Sequence, residues 1–186
     1  VALKLAYRTC LGLQVPLEAV ETWNDRLGRP HVGAPGGWHC SVSHTVGWAL
    51  AAVSATPVGI DVESLREVDP GAIRLVAAPD EWGVVEGSTP PEAAALRLWT
   101  VKEAVLKGLG TGFRLEPRSV RVVAASEQSA HVDVAGEGDS SSRHWRVSSE
   151  ILEDRVVSIA HVRSHLCSAR IRWIDGIGVS AALDAT

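Results

Sequence analysis

Asp61 and Glu63 stand two apart in VGIDVES, where Val58, Ile60 and Val62 alternate with Gly59, Asp61 and Glu63. Period-two alternation marks a strand and lays the two carboxylates on one face, roughly 6.6 Å apart at Cα. Like charges so placed repel unless a cation lies between them. Oxygen-only donors suit Mg²⁺, which takes a few carboxylates and completes its shell with phosphate and water. A third acid, Glu103, and two lysines, Lys102 and Lys107, stand in WTVKEAVLKGLGTGF, residues 99–113. The chain has three lysines against fifteen arginines, so two lysines within six residues point to a need for a compact ammonium on a phosphate. In HCSVSHTVG, residues 39–47, Ser43 and His44 adjoin a turn and make a candidate anion seat. Each feature has a bland counterpart. Acids often decorate a solvated strand face, Glu103 and Lys107 at i,i+4 suit an ordinary surface pair, and a histidine at a strand end is commonly structural.

These residues need elements to hold them. A central helix is expected from TPPE, with Thr89 as N-cap, Pro90 at the first helical position and Glu92 completing a capping box. It runs to about Leu109, where Gly108, Gly110 and Gly112 provide the stop. Leu98, Val101, Val105 and Leu109 form its apolar stripe, and Trp99, Glu103 and Lys107 fall opposite. Lys102 lies between the two faces, placed to run its stem along the core and extend its ammonium toward the acids. It is therefore expected to be the costlier lysine to lose. Residues 1–27 read as one helix, or two broken at Gly12 and Pro16; GRP at 28–30 is a turn, and HVGAPGGW a loop. Residues 39–44 and 48–54 read as a hairpin, and 70–85 as helix restarting at Pro79. Antiparallel strands are expected over 119–124, 130–134, 144–147 and 155–162, with an exposed loop at 136–142. Residues 168–175 are placed as an edge strand, and the last residues as loosely ordered.

The totals bound the function. A chain of 186 residues, 46% hydrophobic and 22% charged, has the composition of a globular protein able to bury a core. A net charge of −4 and a pI near 6.0 argue against general nucleic-acid binding, although arginines cluster over 114–121 and 143–172. Cys10, Cys40 and Cys167 are odd in number and widely spaced. They make neither a disulfide framework nor a zinc pattern, so a reducing cytoplasm is the expected location. No apolar run approaches membrane-spanning length, and VALKLAYRTC is no signal peptide. Methionine is absent even at position 1, so the sequence is expected to begin after a removed or trimmed N-terminus.

GIDVES, followed about forty residues later by WTVKEAVLK, resembles the signature pair of the 4′-phosphopantetheinyl transferases. HCSVSH and GRP match two further motifs of the Sfp-type class, and the resemblance covers roughly residues 8–163. KEAVLKGLGTG also resembles the shorter, trimeric holo-(acyl-carrier-protein) synthases, which generally lack the HCSVSH segment. The larger class is therefore implied: an α+β fold of two pseudo-symmetric lobes, each a small antiparallel sheet packed with a long helix. Residues 1–57 would form the N-terminal lobe without its first strands, 58–163 the C-terminal lobe with the metal site, and 164–186 a C-terminal extension. Coenzyme A would lie between the lobes.

The resemblance further implies that Asp61, Glu63 and Glu103 hold Mg²⁺ on the diphosphate of coenzyme A. A serine of an apo acyl, peptidyl or aryl carrier protein would attack the β-phosphorus and release adenosine 3′,5′-bisphosphate. Glu103 would serve as general base, Lys102 would offset developing charge, and Lys107 would hold a phosphate oxygen. Ser43 and His44 would meet the 3′-phosphate or diphosphate, with Arg29 near the nucleotide. A monomer that uses neither nucleic acid nor membrane is expected. The alternatives are a Mg²⁺-dependent phosphohydrolase and a non-catalytic module binding coenzyme A or a carrier. A serine hydrolase built on Ser43, His44 and Asp61 is a weaker third, since no G-x-S-x-G motif accompanies it.

Overall fold

The computed structural model describes residues 1–33, 37–65, 69–88, 90–111, 115–126, 128–134, 143–162, 167–174 and 178–185, the last two segments for their backbone. Helix α1 (Ala2–Cys10) buries Leu3, Leu5 and Ala6. It ends where the break was expected, but no second helix follows. Pro16 is extended, a 3-10 turn covers Leu17–Ala19, and Thr22–Asn24 forms a strand, β1, paired with β2 (Pro30–Val32). Proline and the β-branched Val15, Val20 and Thr22 outweigh the scattered leucines that suggested a helix there.

The hairpin of β3 (His39–Thr45) and β4 (Trp48–Ser54) forms as the alternation predicts, and β5 is Val58–Ser64. Helices α2 (Pro70–Val76) and α3 (Pro79–Glu86) reproduce the restart at Pro79. The central helix α4 (Pro91–Leu109) begins one residue later than expected, with Pro90 at the N-cap position and no side-chain cap. Thr89, Gly112 and the loop over 136–142 lie outside the described residues. A glutamate does close on the start of a helix, but on α3: Ala78 N–H donates to Glu81 Oε2 at 2.7 Å.

Strands β6 (Val120–Ala125), β7 (Ser129–Val134), β8 (Arg143–Leu152) and β9 (Arg155–Val162) follow as an antiparallel meander. β9 pairs with β5, giving a five-stranded sheet of order β5-β9-β8-β7-β6. The C-terminal residues do more than add an edge. β10 (Cys167–Ile174) and β11 (Gly178–Ala185) form a hairpin, and β11 lies parallel to β4 with Ser180 opposite Ala51. The second sheet therefore has the order β10-β11-β4-β3. β10 takes the edge position expected of residues 168–175, whereas β11, from residues expected to be loosely ordered, forms the strand between it and β4.

The result is α+β, with the two sheets packed between helices. α1 covers one face of β3 and β4 through Leu3, Ala6, Cys40, Ala51 and Val53. Leu50 and Ala52, from the other face of β4, meet Val58, Ile60, Val62, Val157 and Ile159 in the layer between sheets. Beyond it, Val101, Ala104 and Val105 of α4 pack on Val120, Val132, Trp145 and Val147. The lobes are unequal: α1 has nine residues and α4 nineteen. Among the described residues no helix is long and apolar enough to cross a membrane.

Two contacts set the register between α4, β5 and β3. A Cβ at Gly59 would stand 1.8 Å from Ala104 O and 2.6 Å from Gly108 N, so only glycine lets the helix lie this close to the strand. Gly59→Ala is expected to destabilise the protein by about 2–3 kcal/mol and to lift α4 off β5. A urea unfolding midpoint identical to wild type would contradict that packing. On the other side, β3 and β5 are both edge strands, and hydroxyls join them where a ladder is missing. Ser41 Oγ accepts from Ile60 N–H at 3.1 Å, Ser43 Oγ from Val62 N–H at 3.3 Å, and Thr45 Oγ1 lies 3.0 Å from Ser64 Oγ. Two exposed edges are thereby covered by each other.

Candidate active site

Gly59, Asp61 and Glu63 share the face of β5 that α4 covers, so the closeness enforced at Gly59 brings Glu103 and Lys107 over the acids. Lys107 Nζ donates to Asp61 Oδ1 at 2.7 Å and to Ser43 Oγ at 2.9 Å. Ser43 in turn donates to Asp61 Oδ1 at 2.9 Å. Its hydroxyl therefore accepts from the β5 backbone and from Lys107 while holding Asp61. Asp61 is 4% exposed, and its Oδ2 is buried with no hydrogen-bond partner. Glu103 Oε1 is buried and unpartnered in the same way. Burial holds the Glu103 carboxyl above the usual range, the nearby charges of Asp61 and Glu63 push the same way, and Lys107 opposes them.

The direction of that shift has a consequence for stability. A carboxyl whose folded-state pKa is raised stabilises the fold below its unfolded pKa, and that contribution is lost as pH rises through the folded value. Near neutral pH, Glu103 therefore weakens the metal-free fold. Glu103→Gln should raise the melting temperature at pH 7, with the gain shrinking as pH falls toward the ordinary glutamate value of 4.5. A gain that persists undiminished at pH 4 would count against burial and repulsion as the cause.

The remaining expected site residues are placed differently. Lys102 does not approach the acids. It is wholly buried and pairs with Glu81 Oε2 at 2.8 Å, also donating to Val120 O at 2.6 Å and Pro117 O at 3.1 Å. The helical period explains the correction: one residue turns the helix by roughly 100°, which carries Lys102 toward α3 and β6 when Glu103 faces β5. Glu81, its partner, carries no mark in the sequence, because nothing local in PDEW distinguishes a buried acid from a first-turn acid on a helix.

His44 is exposed on the face of β3 opposite Ser43, as the pleat requires of neighbouring residues. The two therefore do not form one seat, and no Ser-His-Asp arrangement exists: Ser43 is engaged with Asp61 and Lys107, with His44 behind the strand. Arg29 is brought to the other end of the groove. The turn at 25–29 is held by Asp25 Oδ1, which accepts from Leu27 and Arg29 N–H at 2.8 and 2.9 Å. The Arg29 guanidinium then reaches Gly108 O and His39 Nδ1, each at 3.4 Å, at the negative end of α4. Gly110 caps that helix at φ +71°, and a Cβ there would come within 2.4 Å of Arg29 Nη1. Burial and Arg29 together hold the His39 ring below its usual pKa.

A groove between β3 and α4 thus carries Arg29 and His39 at one end, then Lys107, Ser43 and Asp61, and then Glu103 and Glu63. Two buried carboxylate oxygens without donors and a raised Glu103 are what a bound divalent cation would relieve, so the donor set fits a hard metal ion. Among the described residues no three His, Cys, Asp or Glu side chains are gathered closely enough to form a ready-made cage, and Lys107 occupies Asp61 Oδ1 instead.

Comparison with known proteins bears on what this groove does. The family model of the 4′-phosphopantetheinyl transferase superfamily matches residues 57–160, which include β5, α4 and all three acids. A 4′-phosphopantetheinyl transferase of Aneurinibacillus migulanus is 30% identical over 126 residues, covering 61% of this chain and 52% of that protein. A 4′-phosphopantetheinyl transferase of Bacillus pumilus is 30% identical over 101 residues, 53% of this chain and 43% of that one. A phosphopantetheinyl transferase of Thraustochytrium is 29% identical over 87% of this chain and 63% of its own length. The matches to the first two relatives span about half the length of those proteins. Among solved structures, the holo-[acyl-carrier-protein] synthase of Thermotoga maritima superposes with a TM-score of 0.49 at 16% identity, over 64% of this chain and 70% of that one. With the family model matched across the strand and the helix that build the groove, the chain belongs to the 4′-phosphopantetheinyl transferase superfamily.

Proposed function

We propose that the chain transfers the 4′-phosphopantetheine moiety of coenzyme A to a serine of an apo acyl, peptidyl or aryl carrier protein, releasing adenosine 3′,5′-bisphosphate. The observation that carries the proposal is the joining of Lys107, Ser43 and Asp61 beside the unpartnered Glu103 oxygen, in a family whose relatives bear that activity in their names. The serine hydroxyl forms a bond to the β-phosphorus as the bond from that phosphorus to the bridging oxygen breaks. The serine proton passes to Glu103, directly or through water.

Asp61, Glu63 and Glu103 would hold Mg²⁺, which when bound supplies charge neutralisation on the diphosphate oxygens. Lys107 meets a phosphate oxygen from the side of β3, and Ser43 fixes the direction from which it approaches. Arg29, at the far end of the groove, suits the nucleotide end of coenzyme A. His44, behind β3, would meet coenzyme A only where the molecule passes around the strand, at its 3′-phosphate. Lys102 has no part in the chemistry. A monomeric cytoplasmic enzyme belongs to the same reading, supported by cysteine usage and by a net charge of −4.

The test is one incubation with coenzyme A, Mg²⁺ and an apo carrier protein, followed by intact-mass spectrometry of the carrier. A mass increase of one phosphopantetheine, abolished by chelation, is expected. Release of phosphate from coenzyme A without any carrier would favour the phosphohydrolase. Binding of coenzyme A with no transfer would favour the non-catalytic module.

A further inference from the structure

We propose that Lys107 is the resident counter-cation of the carboxylate cluster, and that a divalent ion and this ammonium compete for Asp61. The inference rests on the metal-site reading above and adds an order to it: Lys107 leaves Asp61 as the ion arrives, and is thereby freed for a phosphate.

Three observations carry it. Lys107 Nζ sits 2.7 Å from Asp61 Oδ1, the same carboxylate whose Oδ2 is buried without a partner. The pair is only half sequestered: Asp61 is 6% exposed at its side chain, whereas Lys107 retains 31%. The lysine side chain therefore borders solvent, and the carboxylate does not. Finally, the ammonium's second acceptor is Ser43 Oγ at 2.9 Å, on the β3 side of the groove. A lysine released from Asp61 stays tethered to that side, where its three donors can turn toward a phosphate.

The charges make the competition necessary. Asp61, Glu63 and Glu103 carry three negative charges within electrostatic reach of one another, and Lys107 is the cation that acts on Glu103 against them. A divalent ion binding the same oxygens takes over that neutralisation, and two cations on one carboxylate repel. Competition of this kind is reciprocal, so whatever holds Lys107 on Asp61 weakens the ion by the same factor.

The measurement is the affinity of the ligand-free protein for Mn²⁺, read by electron paramagnetic resonance of the free ion, with Mg²⁺ checked by calorimetry. Lys107→Met should bind Mn²⁺ at least about fivefold more tightly than wild type. Lys107→Arg, which keeps a cation, should stay near wild type, and Asp61→Asn should bind weakly in either background. Circular dichroism of each variant shows that the fold is kept. Equal affinity in wild type and Lys107→Met, or weaker binding in the variant, overturns the exchange while leaving the metal site standing. No Mn²⁺ binding by any of these proteins overturns the metal-site reading and the exchange with it.

Discussion

Asp61→Asn is expected to lower carrier modification by about a thousandfold and to leave the melting temperature unchanged or higher. The amide keeps an oxygen to accept from Ser43 and Lys107, so the hydrogen bonds that Asp61 Oδ1 makes are conserved in kind. What disappears is charge. Asp61 is the most buried of the three acids and the one on which Lys107, Ser43 and the unpartnered Oδ2 converge. Without its charge the groove holds a divalent ion poorly, and Lys107 is left beside a neutral group. Removing one of several crowded carboxylates relieves repulsion, and that relief offsets the lost ion pair. Single-turnover transfer followed by intact mass, with thermal melting alongside, separates the two effects. Transfer at the wild-type rate across a range of Mg²⁺ concentrations would show that the acids have been misplaced.

The parts of this site that were legible in the sequence are those whose geometry is local. Period two in VGIDVES fixed which acids share a face, and period 3.6 in α4 separated Glu103 and Lys107 from Leu98, Val101 and Val105. Both patterns survive in the structure because each is enforced by burial of the opposite face. The parts that were not legible depend on what lies across from a residue. Gly59 reads as an unremarkable strand glycine until Ala104 is laid against it. Ser43 and His44 look like one seat when read along the chain, although the pleat that groups Ser43 with His39 and Ser41 excludes His44. The pairing of β11 with β4 joins residues far apart in the chain, Ser180 to Ala51 among them, and no local pattern announces it. A lysine at the border of an apolar stripe has two directions open to it, and the choice is made by where a buried acid waits.

That choice sets the second large effect, which falls on stability. Glu81→Ala is expected to cost about 3–5 kcal/mol, because it leaves the wholly buried Lys102 ammonium without its counter-charge. Glu81 also accepts from Ala78 N–H at 2.7 Å and Val122 N–H at 2.9 Å, so its loss unties α3 from β6 and frees the start of the helix. Lys102 spends its three donors on Glu81, Pro117 O and Val120 O. The network is fully satisfied, and such networks fail as units when one member is removed. Burial already depresses the Lys102 pKa, with Glu81 opposing the shift, so the ammonium is the group most exposed to that loss. Lys102→Met should destabilise less, since Glu81 retains two backbone donors. Combining Glu81→Gln with Lys102→Met should recover most of the loss, because neither charge then remains buried. In every one of these variants turnover per folded molecule should stay near wild type, measured at low temperature with saturating coenzyme A and carrier. Urea unfolding and steady-state kinetics on the same preparations decide it. Lys102→Met that melts like wild type yet loses transfer by two orders of magnitude would return this lysine to the catalytic groove.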